Sequence, residues 1–254
     1  MECVDQMGRA ITLDKHPRRI ISIVPSQTEL LYHLGLKEEV VGITKFCIHP
    51  DEWFRSKQRI GGTKNLKIEE IRALKPDLII GNKEENAIDD ILALEKEFPV
   101  WMSDIFDLED AYNMMTSIGD ITGKAAEVKQ LIGTVKSGFS ELSKKVGSLK
   151  SVLYFIWNEP AMLAGTNTFI SKMLEACGMK NLAEGRYPEA TFEESPDLVL
   201  LSSEPFPFKE NHKEAFEERY PKSQVMLVDG EMFSWYGSRL REAPKYFQNL
   251  LESI

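Results

Sequence analysis

The sequence predicts an α/β protein made of two similar halves joined by one long helix. Three observations carry that reading. Short apolar, β-branched runs alternate with amphipathic helical patterns along the whole chain. The order of elements in the first half recurs in the second, down to a shared P-D-L-aliphatic-aliphatic signature in KPDLIIGN (75–82) and SPDLVLLSS (195–203). Between the halves, residues 123–150 keep a 3.6-residue apolar period without a proline.

In the first half, RIISIVP (19–25) is a β-branched run ended by Pro25, hence a buried strand followed by a turn. SQTELLYHLGL follows as a helix, with Ser26 or Thr28 as its N-cap, Leu30, Leu31 and Leu34 on one face, and Gly35 closing it. VVGIT (40–44) is the second strand. IEEIRAL is a short amphipathic helix stopped before Pro76, and DLII is the strand after it. A helical stretch over 86–97 leads to the strand FPVWMSD (98–104). In the second half SVLYFIW (151–157) is a strand, SKMLEACGMKNL a helix ended by Gly178, and QVMLVDGE (224–231) echoes PVWMSD. Recurrence in the same order favours duplication over coincidence.

In the central stretch Val128, Leu131, Ile132, Val135, Phe139, Leu142 and Val146 fall on one stripe. Gly133 and Gly138 lower helix propensity without ending the pattern. A helix of about 24 residues reaches roughly 36 Å, enough to bridge two lobes. The division expected is a first lobe over 1–122, a linking helix over 123–147 and a second lobe over 148–254.

The bulk numbers exclude several classes. The chain has 254 residues and a net charge of −9, and it lacks the Lys/Arg footprint that nucleic acid requires. No apolar run approaches the roughly 20 residues needed to cross a bilayer, so no membrane insertion is expected. Cys3, Cys47 and Cys177 are odd in number and far apart, so no disulfide framework is implied. MECVDQMGRAITL has neither a basic n-region nor an apolar h-region. Either the chain stays in the cytoplasm, or an export signal lies outside the sequence given. There is no G-x-S-x-G, H-E-x-x-H or Walker pattern. The histidines at 16, 33, 49 and 212 show no metal-pair spacing, and Cys47-Ile48-His49 reads more simply as a plain loop than as a soft-metal site. Neither catalytic residues, nor metal ligands, nor a cofactor are expected.

YFIWNEPAML (154–163) ends four large side chains in an amide and a carboxylate. It is either a surface turn with an edge tryptophan or the mouth of a ligand cleft, since open parallel sheets bind ligands beyond the carboxyl ends of their strands.

ISIVPSQTELLYHLGL, RIGGTKNLKIEEIRALKPDLIIG, the single central helix and the terminal WYGSR resemble the helical-backbone (class III) substrate-binding proteins of ABC importers. Those importers carry vitamin B12, haem and iron-siderophore complexes, and the vitamin-B12 branch is nearest in pattern. The resemblance implies two α/β lobes with mainly parallel sheets, a rigid helix joining them and one ligand in the cleft between. It also implies a permease partner and a metal-chelate or corrinoid ligand; a monomer is expected. Two features depart from the family: the missing signal and a second lobe abbreviated at TFEESPDLVL.

On that architecture the strand-end loops supply the ligand contacts. The candidates in the first half are Ser26, Phe46, His49, Arg59, Lys64 and Asn82. Those in the second are Trp157, Asn158, Arg186, Glu204, Phe206, Trp235, Tyr236 and Arg239. Flat aromatics suit a large planar ligand, and Arg59, Lys64, Arg186 and Arg239 are candidates for ligand carboxylates or phosphate. Glu69 matches the family position at which an acidic residue on each lobe meets permease arginines; Glu193 or Glu194 is its counterpart. The alternatives are a cytoplasmic sensor or carrier of the same fold and, further off, an enzyme with a distributed α/β site.

Overall fold

In the computed structural model, which describes residues 1–147 and 149–254, an antiparallel hairpin of β1 (Glu2–Val4) and β2 (Ala10–Thr12) precedes the first sheet. The chain then runs β3 (Ile20–Ser22), α1 (Pro25–His33), β4 (Val40–Ile43), α2 (Asp51–Ser56) and β5 (Gln58–Arg59). A small hairpin, β6 (Gly61–Gly62) with β7 (Asn65–Leu66), leads to α3 (Ile68–Leu74), β8 (Leu78–Asn82), α4 (Ile88–Leu94) and β9 (Val100–Ser103). The sheet order is β5-β4-β3-β8-β9, with every pair parallel. The chain therefore works outward from β3 on one side, then crosses back to β8 and works outward on the other. That reversal is a topological switch point, where the connections leaving the carboxyl ends diverge. Ile21, Ile23, Ile79 and Met102 are buried in one core cluster, as strands covered on both faces require.

Two helices follow, α5 (Leu108–Thr122) and α6 (Ala125–Ser143). The second sheet is built from β10 (Lys150–Trp157), β11 (Met162–Leu163), α7 (Phe169–Ala176), β12 (Met179–Asn181), β13 (Leu198–Ser202), α8 (Glu210–Arg219) and β14 (Gln224–Val228). Its order is β11-β10-β13-β14, with β12 also on β10; only β11 is antiparallel. The switch point here lies between β10 and β13. The chain closes with α9 (Gly230–Ser234), a short 3-10 turn and α10 (Ala243–Leu251). No helix precedes β13 in the place that α3 holds before β8, so the abbreviation seen in the sequence is real.

The repeated P-D-L signature has a common job. Asp77, just before β8, accepts the backbone N–H groups of Arg18 and Arg19 at 2.8 Å each, at the entrance to β3. Asp197, just before β13, accepts the N–H and hydroxyl of Ser151 at 2.7 Å each, at the entrance to β10. Each aspartate locks the amino end of the central parallel pair in register, Ile20 opposite Leu78 and Val152 opposite Leu198.

Two expectations need correction. Neither Ser26 nor Thr28 caps α1: the cap is Val24 without a side-chain bond, and Pro25 opens the helix. Proline fits there because its missing N–H would be unsatisfied anyway. Thr28 is buried and donates instead to the Val24 carbonyl at 2.9 Å. The long helix is also shorter than expected: α6 has 19 residues, about 28 Å. Gly123, at φ +73°, breaks it from α5, and Val146 lies beyond its end.

The chain divides into two compact units. The first comprises Met1–Ile105, Glu109–Gly133 and Tyr236–Arg239; the second holds Phe106–Leu108, Thr134–Trp235 and Leu240–Ile254. The division falls inside α6, whereas the sequence places the whole helix between two lobes.

Two glycines should respond to alanine with opposite signs. A Cβ on Gly81 would stand 2.7 Å from both the Asn86 Oδ1 and the Met102 sulfur, so Gly81→Ala should destabilise by about 1–3 kcal/mol. Gly133 is exposed inside α6 with nothing within 4 Å of a Cβ, so Gly133→Ala should stabilise by up to about 1 kcal/mol. Urea denaturation of the two variants checks both signs.

Candidate functional site

At the switch point of the first unit, buried amides hold the loops in place. Gln27, fully buried on α1, donates to Ser103 Oγ at 2.7 Å and to the Gly81 carbonyl at 3.3 Å. Asn86 donates to the Ile23 carbonyl at 3.2 Å, tying the loop after β8 to the end of β3. Asn82 donates to Ser103 Oγ at 3.0 Å, while its Oδ1 accepts the N–H groups of Glu84 and Glu85 at 2.8 and 3.2 Å. Asn82 is thus the brace under this loop, with its acceptor already engaged.

Above the brace, the loop after β4 presents Phe46, 49 % exposed, with Lys45 Nζ 4.9 Å from its ring centroid; His49 is half-buried in the same loop. Ser26 is buried at the start of α1. Tyr236, also buried, donates to Glu85 Oε1 at 3.0 Å. Burial and then the Glu85 charge push its phenol well above the usual range. Gly237 turns the chain at φ +129° with Leu30 Cβ and the Ser26 carbonyl 3.4 Å from where a Cβ would sit. Arg239 then grips Glu29 with two bonds, Nε to Oε2 at 3.1 Å and Nη2 to Oε1 at 2.6 Å.

The second unit supplies a carboxyl group and aromatics. Trp157 ends β10 with 43 % of its surface exposed, and its Nε1 donates to the Glu159 carbonyl at 3.0 Å. Its ring meets Phe206 edge-on at 5.7 Å. Glu204, just past β13, receives the Ser234 hydroxyl and the Trp235 indole N–H, the latter at 3.0 Å. Both donors go to Oε1, leaving Oε2 without a hydrogen-bond partner among the described residues. Burial raises the Glu204 pKa above the usual carboxylate range; Glu231 and Asp229 push the same way, and the two donors oppose them.

The structure therefore gathers Ser26, Phe46, His49, Asn82, Tyr236 and Arg239 around the strand ends of the first unit, and Trp157, Glu204, Phe206 and Trp235 around those of the second. Other candidates lie apart or are engaged. The Arg59 guanidinium stacks 4.4 Å from the Phe54 ring centroid and donates to the Lys57 carbonyl at 2.7 Å. Lys64 donates to the Glu84 carbonyl. Arg186 sits in the irregular stretch before β13, 4.9 Å from the Phe106 ring centroid. Asn158 lines a separate groove beside α8. Glu69 projects from α3 with its side chain 82 % exposed, paired to Arg72. Glu193 is exposed, and Glu194 accepts the Thr191 hydroxyl at 3.1 Å.

The sequence puts Glu85 and Ser234 on strand-end loops without marking them as the partners of Tyr236 and Glu204, and it does not mark Glu29, the partner of Arg239, at all. Each is a common polar residue whose role depends on a partner distant in the chain, so no local pattern marks it. Among the described residues no three His, Cys, Asp or Glu side chains cluster as a metal site. Cys47 is buried between the Thr28 and Thr44 hydroxyls, each 3.1 Å from its sulfur.

Comparisons with known proteins agree with this fold. The family model described as periplasmic binding protein matches residues 20–218. An uncharacterized ABC transporter substrate-binding lipoprotein of Bacillus subtilis (strain 168) is 26% identical, covering 98% of this chain and 84% of that protein. Among solved structures, the periplasmic vitamin B12 binding protein of Vibrio cholerae superposes with a TM-score of 0.80 at 18% identity, over 94% of this chain and 98% of that one. A periplasmic haem binding protein from Pseudomonas aeruginosa gives a TM-score of 0.80 at 20% identity, over 92% of each chain.

The raised Glu204 pKa fixes the sign of a pH effect. Unfolded, this carboxyl titrates near its ordinary 4.5; folded, it holds its proton to higher pH. Between those two values the folded state binds more protons, so stability falls as pH rises through the window. Glu204→Gln keeps an acceptor for Ser234 and Trp235 and removes the titration. Thermal melts of wild type and variant from pH 4 upward should diverge, the variant losing less Tm; parallel curves would contradict the assignment.

Proposed function

Because the chain belongs to the periplasmic binding protein family, we propose that it is the solute-binding protein of an ABC importer and that its ligand is a corrinoid. Fold and relatives supply the class, and they place the chain among binding proteins rather than enzymes. The ligand reading rests on one observation, the charge at the strand ends. Glu84 and Glu85 lie there in the first unit, and Glu204, Glu231 and Asp229 in the second. Of the cationic candidates, Arg239 is paired with Glu29, Lys64 and Arg59 donate to the Glu84 and Lys57 carbonyls, and Arg186 lies 4.9 Å from the Phe106 ring centroid. Haem brings carboxylates, and catecholate or carboxylate siderophores bring several negative charges; burying these beside the Glu204 carboxyl is costly. A corrin ring is rimmed with neutral amides whose N–H groups suit a carboxylate oxygen such as Glu204 Oε2. Its broad apolar face suits Trp157, which is large and exposed and meets Phe206 of the same unit edge-on. The Vibrio cholerae neighbour is a periplasmic vitamin B12 binding protein, which is consistent with this choice.

Cyanocobalamin should quench tryptophan fluorescence on titration, and Trp157→Ala should weaken binding by about 1–3 kcal/mol. Tight haem binding with no response to cyanocobalamin would keep the importer reading and overturn the ligand class.

For delivery we assign Glu69 and one of Glu193 and Glu194 to permease docking. Exposed carboxylates of this kind orient an encounter and speed it more than they add affinity. The double reversal Glu69→Arg with Glu193→Arg should abolish association with the reconstituted permease and leave ligand affinity unchanged. Normal association of the double variant would remove both residues from the interface.

A further inference from the structure

A groove of about 430 Å³ runs beside α8 in the second unit and shares only Asn158 with the candidates above. Its floor is aromatic: Phe192 and Phe216, with ring centroids 6.3 Å apart, belong to the buried cluster around Phe155. One rim is α8 and the other is the turn between β10 and β11, which carries Glu159. A volume of this size, with aromatic rings below and polar groups on the rim, has the form of a small-molecule site.

The polar groups on the rim specify the ligand. The Arg219 guanidinium lies 4.5 Å from the Phe192 ring centroid, and no ion pair engages it among the described residues. Phe192 therefore holds a cation at one end of the groove, and a guanidinium suits a carboxylate. At the other end His212 Nδ1 accepts the Lys209 N–H at 2.9 Å, which places the ring proton on Nε2 as a donor. From His212 to Arg219 is seven residues of helix, roughly 10 Å. Glu159 on the opposite rim disfavours a second negative charge.

We propose that this groove binds an elongated aromatic monocarboxylate, with its ring between α8 and the β10–β11 turn over Phe216, its carboxylate on Arg219 and a hydroxyl or carbonyl oxygen on the His212 Nε2–H. Neither Trp157 nor Glu204 lines the groove, but Trp157 donates to the Glu159 carbonyl on its rim, so cyanocobalamin affinity is the control that separates the two sites.

The probe is 4-hydroxycinnamate, titrated into the full chain and followed by calorimetry and by the aromatic NMR signals of Phe192 and His212. Saturable binding is expected. Arg219→Gln should weaken it roughly tenfold or more, since a charge-assisted pair is lost. The neutral amide of the probe should be weaker than the acid to a similar degree on wild type. Ala215→Trp, which fills the groove from α8, should abolish binding. Both variants should keep wild-type cyanocobalamin affinity and far-ultraviolet circular dichroism. No saturable binding, equal affinity in Arg219→Gln, or NMR shifts confined to residues outside the groove would each overturn the proposal.

Discussion

The central parallel pair of each sheet is the constraint from which the remaining geometry follows. Asp77 and Asp197 fix those pairs at their amino ends by accepting two donors each from the entrance to the neighbouring strand. With β3 and β8 in register, and likewise β10 and β13, the strands finish together at one edge. The connections leaving that edge diverge because the chain turned outward in opposite directions. A crevice over the switch point is then unavoidable, and the side chains proposed for the corrinoid stand on segments leaving that edge. The aspartates act at the opposite end of the strands, so their contribution is to register alone.

The two units furnish that edge differently. In the first, Gln27, Asn82, Asn86 and Ser103 are buried and hydrogen-bonded to one another or to strand-end carbonyls. A network of this kind rigidifies a loop and leaves few donors or acceptors for a ligand. In the second unit the carboxyl group at the strand end is held on one side only. Ser234 and Trp235 fix Glu204 through Oε1, so the position of Oε2 is set without being used. Preorganised groups of this sort lose little freedom on binding, which is where much of an interface's cost otherwise lies.

The elements were legible in the sequence because they are local. Apolar β-branched runs gave the strands, Gly35 and Gly178 gave helix ends with φ of +78° and +69°, and the P-D-L repeat marked the duplication. The family was legible because the GGTKNLKIEEIRALKPDL block is long and specific. Element ends and side-chain partners were less legible. The central helix stops at Ser143, short of Val146, because a period fixes a face and says nothing about where the backbone turns. Thr28 reads as a cap by residue type, yet the adjacent Pro25 removes the need for one. Among the site residues, Trp157 and Phe206 are placed by being large and strand-terminal, a local property. Arg239 and Tyr236 are placed by Glu29 and Glu85, which lie 210 and 151 positions away.

The arginines carry the wider lesson about charge. The chain holds 40 acidic and 31 basic side chains, so carboxylates outnumber cations throughout. A guanidinium with five fixed donors is weakly hydrated, so it is the cation best able to enter a partly buried pair or lie on an aromatic ring. In an acidic protein an arginine near a cleft thus has internal claims on it before any ligand arrives, and Arg239 and Arg59 are both answered in this way. A ligand seeking the Arg239 guanidinium would have to displace Glu29 from a two-bond grip and leave that carboxylate half-buried. A neutral ligand asks for no such exchange. The net charge of the chain therefore bears on recognition through the fate of individual arginines, beyond its effect as a long-range field.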